Sequence, residues 1–258
     1  MGAPMLAALR HAGFAARGFD VRLSAVTGCL AEFVTLNADA FAQHLKVLIS
    51  VVRDISQTEQ VLFGTQGFVQ RAQDLDTIVI SSTLSPKYIR GLRSRIPNRI
   101  ALVDAPMSGA VVRAEQRNLS FMLGGAEADL DRLQPLFEAM GTSFHRMGGY
   151  GAGMSAKVLN NLLAASSTAM TRLVLHWADA QGIDEGKLLE LIDASSGQNW
   201  FASGFQEIEF ARDGFSDDNT IGILVKDIAS ALDAAPDGAD TRLPKLVQDM
   251  IRGLTSKA

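Results

Sequence analysis

With 258 residues the chain is long enough to bury a sizeable core, as one large domain or two smaller ones. Apolar residues make up 47% of it, charged ones 20%, and the net charge of −4 leaves no basic stripe of the kind a nucleic-acid binder needs; Arg90, Arg93, Arg95 and Arg99 surround a helix end and read as a solvated face. The single Cys29 forms no internal disulfide, His11, His44, His145 and His176 are too scattered for a metal site, and no stretch is long and apolar enough to span a bilayer, so a cytoplasmic protein is expected.

The opening MGAPMLAALRHAG has no basic start and Arg10 interrupts its apolar run, which argues against a signal peptide. Leu6 stands where a myristoylation motif wants Ser or Thr. Residues 4–12 predict a helix stopped by Gly13, with Pro4 near the first turn, where its missing N–H costs nothing. Residues 14–19 read as a short strand ending at Asp20. Brief apolar runs follow at 47–52, 77–81, 100–103 and 119–123, with helical segments between several of them. Such runs, without in/out alternation, suit strands covered on both faces. The first half is therefore expected to be α/β, a mostly parallel, doubly wound sheet with its ligand at the carboxyl ends of the strands.

Past Gly148, Gly149 and Gly151 the texture changes. An apolar-rich helix is predicted over 154–181, followed by helical stretches at 185–193, 200–212, 221–233 and 244–252, with no strand pattern among them. The expected organisation is a nucleotide-binding type of domain over 1–149 and an all-helical domain over 150–258. No internal repeat or low-complexity segment stands out.

Several clusters could carry chemistry. In GAGMSAKVLNN, residues 151–161, Lys157 and Asn161 lie four apart on a helix and share a face, placing an amine beside a carboxamide. A lysine withdrawn from water near another cation can both take and give a proton; the plain alternative is a solvated lysine. In DAPMSG, residues 104–109, the Ser108 hydroxyl and the N–H groups near Gly109 could hold an anionic oxygen, or the loop could be an ordinary strand exit. Ser81, Ser82 and Thr83 repeat that topology ahead of a helix beginning near Pro86, which they could simply cap. Asp20 sits where a dinucleotide fold places a carboxylate on the adenosine ribose. Arg22 could instead accommodate a 2′-phosphate, and the carboxylate is the favoured reading. Lys226 could be a helix-surface lysine balanced by Asp227.

The order of these motifs resembles the β-hydroxyacid dehydrogenase family, which includes 3-hydroxyisobutyrate dehydrogenases, tartronate semialdehyde reductases and threonate dehydrogenases. The resemblance covers essentially the whole chain: MGAPM, GFDVR through Arg22, QTEQVLFG at 57–64, SSTLSP at 81–86, DAPMSG, GAGMSAKVLNN and VKD. GFDVR, QTEQVLFG and GQNW at 197–200 look closest to the threonate branch.

By this resemblance Lys157 corresponds to the catalytic lysine, Asn161 to the substrate-positioning asparagine, and Ser108 with Gly109 to the loop that holds the substrate carboxylate. Thr83 and Lys226 match cofactor-contacting positions, and Val52 lies in the strand-exit loop that borders the dinucleotide. Gly2 ends the glycine-rich turn. The resemblance implies NAD, with NADP as the alternative; a small hydroxy acid or semialdehyde as substrate; and at least a homodimer, or a homotetramer, which a long apolar helix also favours. Lys157 separates the chain from imine-reducing relatives, which lack that residue.

Three departures stand out. Ala110 replaces the second glycine of the substrate loop, where its methyl group would narrow the anion pocket. Arg117 stands where the family generally has glycine. The family also opens with a strand and a glycine-rich turn ending in MG, of which Met1 and Gly2 match the ending alone. The expected sheet is therefore Rossmann-like but N-terminally truncated, with the recorded start an internal methionine of a longer product. Two readings compete with an NAD-dependent hydroxyacid dehydrogenase: a truncated, non-catalytic relative that binds or oligomerises, and an NADPH-dependent glyoxylate or semialdehyde reductase.

Overall fold

The computed structural model describes residues 1–22 and 28–257; the side chains of residues 28, 29 and 110, and with them the readings made of Cys29 and the Ala110 methyl, lie outside that description. The chain divides into two compact units, Met1–Lys157 and Val158–Ala258.

In the first unit, helix α1 (Gly2–His11) buries Met5, Leu6, Ala8 and Leu9 along one face and stops at Gly13, whose φ of +86° suits glycine. Strand β1 (Gly18–Phe19), a 3₁₀ turn (Gly28–Phe33) and β2 (Val34–Thr35) follow. The remaining elements are α2 (Ala38–Ala42), β3 (Val47–Ser50), α3 (Ile55–Leu62), α4 (Phe68–Arg71), β4 (Thr77–Ile80), α5 (Pro86–Leu92), β5 (Ala101–Asp104), β6 (Met107–Ser108), α6 (Ala110–Glu115), β7 (Leu119–Gly124), α7 (Glu127–Met140) and β8 (Gly141–Gly148). The unit closes with the first turns of α8 (Ala152–Ala180).

Strands β3, β4 and β5 pair in parallel, with Val47, Thr77 and Ala101 in register, and all four residues of β4 are buried. Ile78 and Ile80 pack on one side with Phe41, Phe68, Ile89 and Leu92. Val79 faces the other side with Val103, Phe121, Leu9 of α1 and Phe137 of α7. This alternation puts helices on both faces, as the apolar runs required.

The larger sheet has the order β3-β4-β5-β7-β6, with β8 beside β7. It is mixed: β7 runs antiparallel to β5 and β6 but parallel to β8. The strand expected over 14–19 narrows to Gly18–Phe19. It pairs with Val34–Thr35 in a separate two-stranded sheet, because β2 is only two residues long and limits the ladder. Strand β8 was not anticipated, since most of GTSFHRMG is exposed and presents no apolar run.

Two local expectations need correction. Helix α5 is capped by none of Ser81, Ser82 and Thr83; the Ser85 hydroxyl accepts from the N–H groups of Lys87 and Tyr88, with Pro86 at the first helical position. The arginines near that helix do not form a simple solvated face. Arg93 donates to the carbonyls of Ile96, Pro97 and Ile100, Arg99 to that of Leu75, and Arg95 grips Glu59 through two bonds of 2.6 and 2.7 Å.

The second unit continues α8 and adds α9 (Glu185–Asp193), α10 (Trp200–Ser203), α11 (Thr220–Asp233) and α12 (Arg242–Arg252), with no strand among the described residues. Asp184, Asn199 and Asn219 cap α9, α10 and α11 through their side-chain oxygens. The helix expected over 200–212 ends at Ser203. Beyond Gly204 the chain turns so that Phe205 joins Phe201 and Leu175 in a core, and buried Arg172 draws the carbonyls of Ala211 and Asp213 to itself at 2.8 and 2.9 Å. Those carbonyls are thereby engaged by a side chain instead of a helical ladder. A second cluster joins Ala165 and Ala169 of α8 to Ile221, Leu224 and Ile228 of α11 and to Val247 and Ile251 of α12. No helix is long and apolar enough to cross a membrane among the described residues.

Candidate functional site

Parallel strands deliver their following loops to one edge of a sheet; Val52 and Thr83 follow neighbouring strands of the larger sheet, Asp20 follows a strand of the separate two-stranded sheet, and Gly2 opens α1. Asp20 comes directly after β1, Val52 two residues after β3, and Thr83 three residues after β4. The Asp20 Oδ1 accepts from the Arg22 N–H at 2.9 Å, and the Arg22 guanidinium lies 3.4 Å from the same oxygen. The Ser82 hydroxyl ties the two central loops together by accepting from the Val52 N–H at 2.8 Å, so that amide is already engaged. Gly2 opens α1, whose first residues are exposed and carry no side-chain cap; a Cβ there would meet nothing within 4 Å. Uncapped N–H groups at a helix start suit a phosphate.

These features fit a dinucleotide. The buried hydroxyls of Ser50 and Ser81, at the carboxyl edge of β3 and β4, have no hydrogen-bond partner among the described residues.

The substrate-loop candidates arise from the turn between β5 and α6. Ser108 pairs across β6 and β7 with Ser120. Gly109 has φ +136°, and a Cβ on it would lie 2.8 Å from the Cβ of Arg113, so only glycine fits. Arg117, just past α6, has φ +55°, a left-handed turn that this chain makes with an arginine.

Asp104 opens the same loop and is fully buried. Its Oδ1 accepts from the Gly151 N–H at 2.6 Å and its Oδ2 from the Met154 N–H, both at the start of α8. Burial pushes this carboxyl up to about 6, although the two N–H donors and the field of Arg90 pull the other way. Met154 packs into the first unit's core, and its sulfur accepts from the Leu84 N–H at 3.3 Å. One turn on, Lys157 is only 7% exposed, unusual for a lysine.

In the second unit Asn161 donates through Nδ2 to Asp227 Oδ2 at 2.6 Å. Asp227, on α11, is 3% exposed, and its other oxygen lies 3.3 Å from Lys226 Nζ. Asn161 and Lys226 are thus gathered around one buried carboxylate, and the expected balance of Lys226 by Asp227 is present. Asp104 carries no functional signal in the sequence, and Asp227 is legible there only as the balance of Lys226. Each stood inside a quoted motif, but nothing local marks either as buried.

The first unit is a doubly wound fold of the nucleotide-binding type, the second is helical among the described residues, and the comparisons give the class, an NAD(P)-dependent hydroxyacid dehydrogenase. The family described as the NAD-binding domain of 6-phosphogluconate dehydrogenase matches residues 1–149, and that described as NAD-binding of NADP-dependent 3-hydroxyisobutyrate dehydrogenase matches residues 151–258. Among curated relatives, an NAD-dependent L-serine dehydrogenase of Pseudomonas aeruginosa is 31% identical over 250 residues, covering 93% of this chain and 84% of the relative. A 3-hydroxyisobutyrate dehydrogenase of the same organism is 31% identical over 242 residues, covering 90% and 81%. Among solved structures, the Mycobacterium tuberculosis 3-hydroxyisobutyrate dehydrogenase with L-serine superimposes with a TM-score of 0.81 at 27% identity, covering 97% of this chain and 89% of that one. The chain belongs to the β-hydroxyacid dehydrogenase family.

Proposed function

We propose that the chain transfers hydride between NAD and a small 3-hydroxy acid of the 3-hydroxyisobutyrate or L-serine type, with Lys157 as general acid and base. The observation that carries this reading is the burial of Lys157 on α8, one turn past the amides held by Asp104. The names of the relatives support a hydroxyl one carbon beyond the α position.

When bound, NAD supplies the hydride acceptor. Residues 1–149 would form the cofactor domain and 150–258 the helical one. Gly2 would offer helix-start amides to the pyrophosphate, Asp20 would accept from the ribose hydroxyls, and Val52, Thr83 and Lys226 would border the dinucleotide. Ser108 and the amides at Gly109 would hold the substrate carboxylate, and Asn161, oriented by Asp227, would hold its hydroxyl end. During oxidation Lys157 takes the hydroxyl proton; in the reverse direction it returns that proton to the carbonyl oxygen. Leu159, Leu163, Met170 and Trp177 are exposed at helical spacing along α8, which supports self-association as a homodimer or homotetramer.

The test is Lys157→Ala. Turnover of 3-hydroxyisobutyrate and L-serine should fall by about 10²–10⁴-fold, the usual worth of positioned proton transfer, while NADH affinity measured by fluorescence is retained. Equal turnover in the variant refutes the role.

A further inference from the structure

We infer that Asp104 is a positioning residue for the dehydrogenase reaction: it locks the first turn of α8, and so Lys157, to the strand that leads into the Ser108–Gly109 loop. This rests on the proposed roles of Lys157 and Ser108.

The geometry is specific. Asp104 is the last residue of β5, four residues before Ser108, and its two oxygens take the N–H groups of Gly151 and Met154. Those amides belong to the start of the helix that presents Lys157 a turn later. The surroundings are cleared for the contact. A Cβ on Gly124 of β7 would strike Asp104 Oδ1, and one on Gly153 would strike the Met122 carbonyl and crowd Asp104 Oδ2. Side chains are thus absent on two elements where the helix start meets the strand.

A helix start needs only a local Ser, Thr, Asp or Asn at its surface, and α9, α10 and α11 use such caps. Helix α8 uses instead a buried carboxylate from 47 and 50 residues away. Burying that charge works against stability, as the raised pKa of about 6 records. A costly, non-local cap makes sense where the position of the helix matters more than its formation. Held this way, the lysine and the loop meant for the substrate carboxylate share one rigid frame.

The charged and titratable groups that face Asp104 are Arg90 of α5, whose guanidinium also donates to Ser155 Oγ at 2.7 Å, and Tyr150, just ahead of α8. Gly124 and Gly153 present backbone alone. When Asp104 takes up a proton, one oxygen turns from acceptor to donor and no longer suits the N–H it faces, so the lock slackens as pH falls through about 6.

The test is Asp104→Asn in the full chain, assayed in the reductive direction with NADH and the semialdehyde corresponding to 3-hydroxyisobutyrate. In that direction the reaction consumes a proton from the enzyme's acid, which acid pH does not impair, so an acid limb near pH 6 reports on Asp104. The expected result is a kcat lowered about tenfold or more, an unchanged KM for NADH, and loss of that acid limb. A destabilised protein with normal kcat and an intact limb would mark a merely structural residue and overturn the inference. Should the variant not fold, the parent protein decides. Its Gly151 and Met154 amide proton shifts should titrate with the midpoint of the acid limb, and shifts that stay flat between pH 5 and 7 overturn the inference equally. A parent chain with no turnover of any hydroxy acid or semialdehyde is a different failure, which removes the dehydrogenase reading and this role together.

Discussion

At position 117 an arginine occupies a backbone conformation with φ +55°, and replacing it by glycine should make the first unit more stable. The left-handed region costs an ordinary L residue about 1–2 kcal/mol, while glycine returns about 0.5–1 kcal/mol through the greater freedom of the unfolded chain. The side chain is exposed, and no hydrogen bond or ion pair of its guanidinium exists among the described residues, so little is lost with it. The backbone bonds of the turn, Arg117 N–H to the Ala114 carbonyl at 3.1 Å and Asn118 N–H to the Arg113 carbonyl at 2.8 Å, are available to glycine unchanged. The net gain is about 0.5–1 kcal/mol, or a rise in Tm of roughly 1–4 °C for a unit of this size. Trp177 and Trp200 both lie in the second unit, so their fluorescence would watch the wrong half. Calorimetry of Arg117→Gly beside Arg117→Ala is the appropriate assay. Alanine keeps the left-handed penalty and should stay near the parent. A glycine variant no more stable than the alanine variant would show that backbone strain is not what sets this position apart.

Two further substitutions test the cofactor and substrate ends. Asp20→Ser removes the carboxylate that would repel a 2′-phosphate and releases Arg22 from its Oδ1 contact. The ratio of kcat/KM with NADP to that with NAD should rise about tenfold or more, a change of about 1.4 kcal/mol, and an unchanged ratio would dissociate Asp20 from cofactor choice. Asp227→Ala leaves the Asn161 carboxamide without its 2.6 Å acceptor. Losing a buried partner costs about 1–3 kcal/mol, so kcat/KM for the hydroxy acid should drop roughly 5- to 150-fold; a normal value would mean that Asn161 is oriented by something else.

Much of the scaffold was legible because burial on both faces leaves a signature that needs no partner to be read. The apolar runs at 47–52, 77–81, 100–103 and 119–123 became β3, β4, β5 and β7, and α9 has the bounds its pattern predicted. Strand β8 was hidden because β7 supplies its ladder while its own side chains are mostly exposed, so periodicity had nothing to detect. The stretch 200–212 misled for the opposite reason. Its Phe201, Phe205 and Phe210 recur at near-helical spacing, yet they meet in a folded-back cluster, with buried Arg172 fixing the backbone beyond it. Of the candidate residues, Lys157, Ser108 and Asn161 were visible as motif members. Asp104 was not legible as a site residue, nor Asp227 as the partner of Asn161, because an acid in sequence looks the same whether it faces water or a buried donor, and only the packing of distant elements tells them apart. Arg117 was visible as a departure from a family glycine, but its meaning lay in a torsion angle that no sequence displays.

The Thr255 carbonyl at Arg172 gives residues 253–257 a part that their sequence, GLTSK, does not display. This guanidinium, rooted in the middle of α8, donates to Thr255 as well as to Ala211 and Asp213. The stretch is stitched down further by the Phe215 N–H on the Leu254 carbonyl and the Lys257 N–H on the Arg212 carbonyl, each at 2.8 Å. Peeling it away would cost the buried guanidinium one of its three carbonyl partners, so the segment contributes to the stability of the helical unit and does not merely trail from it.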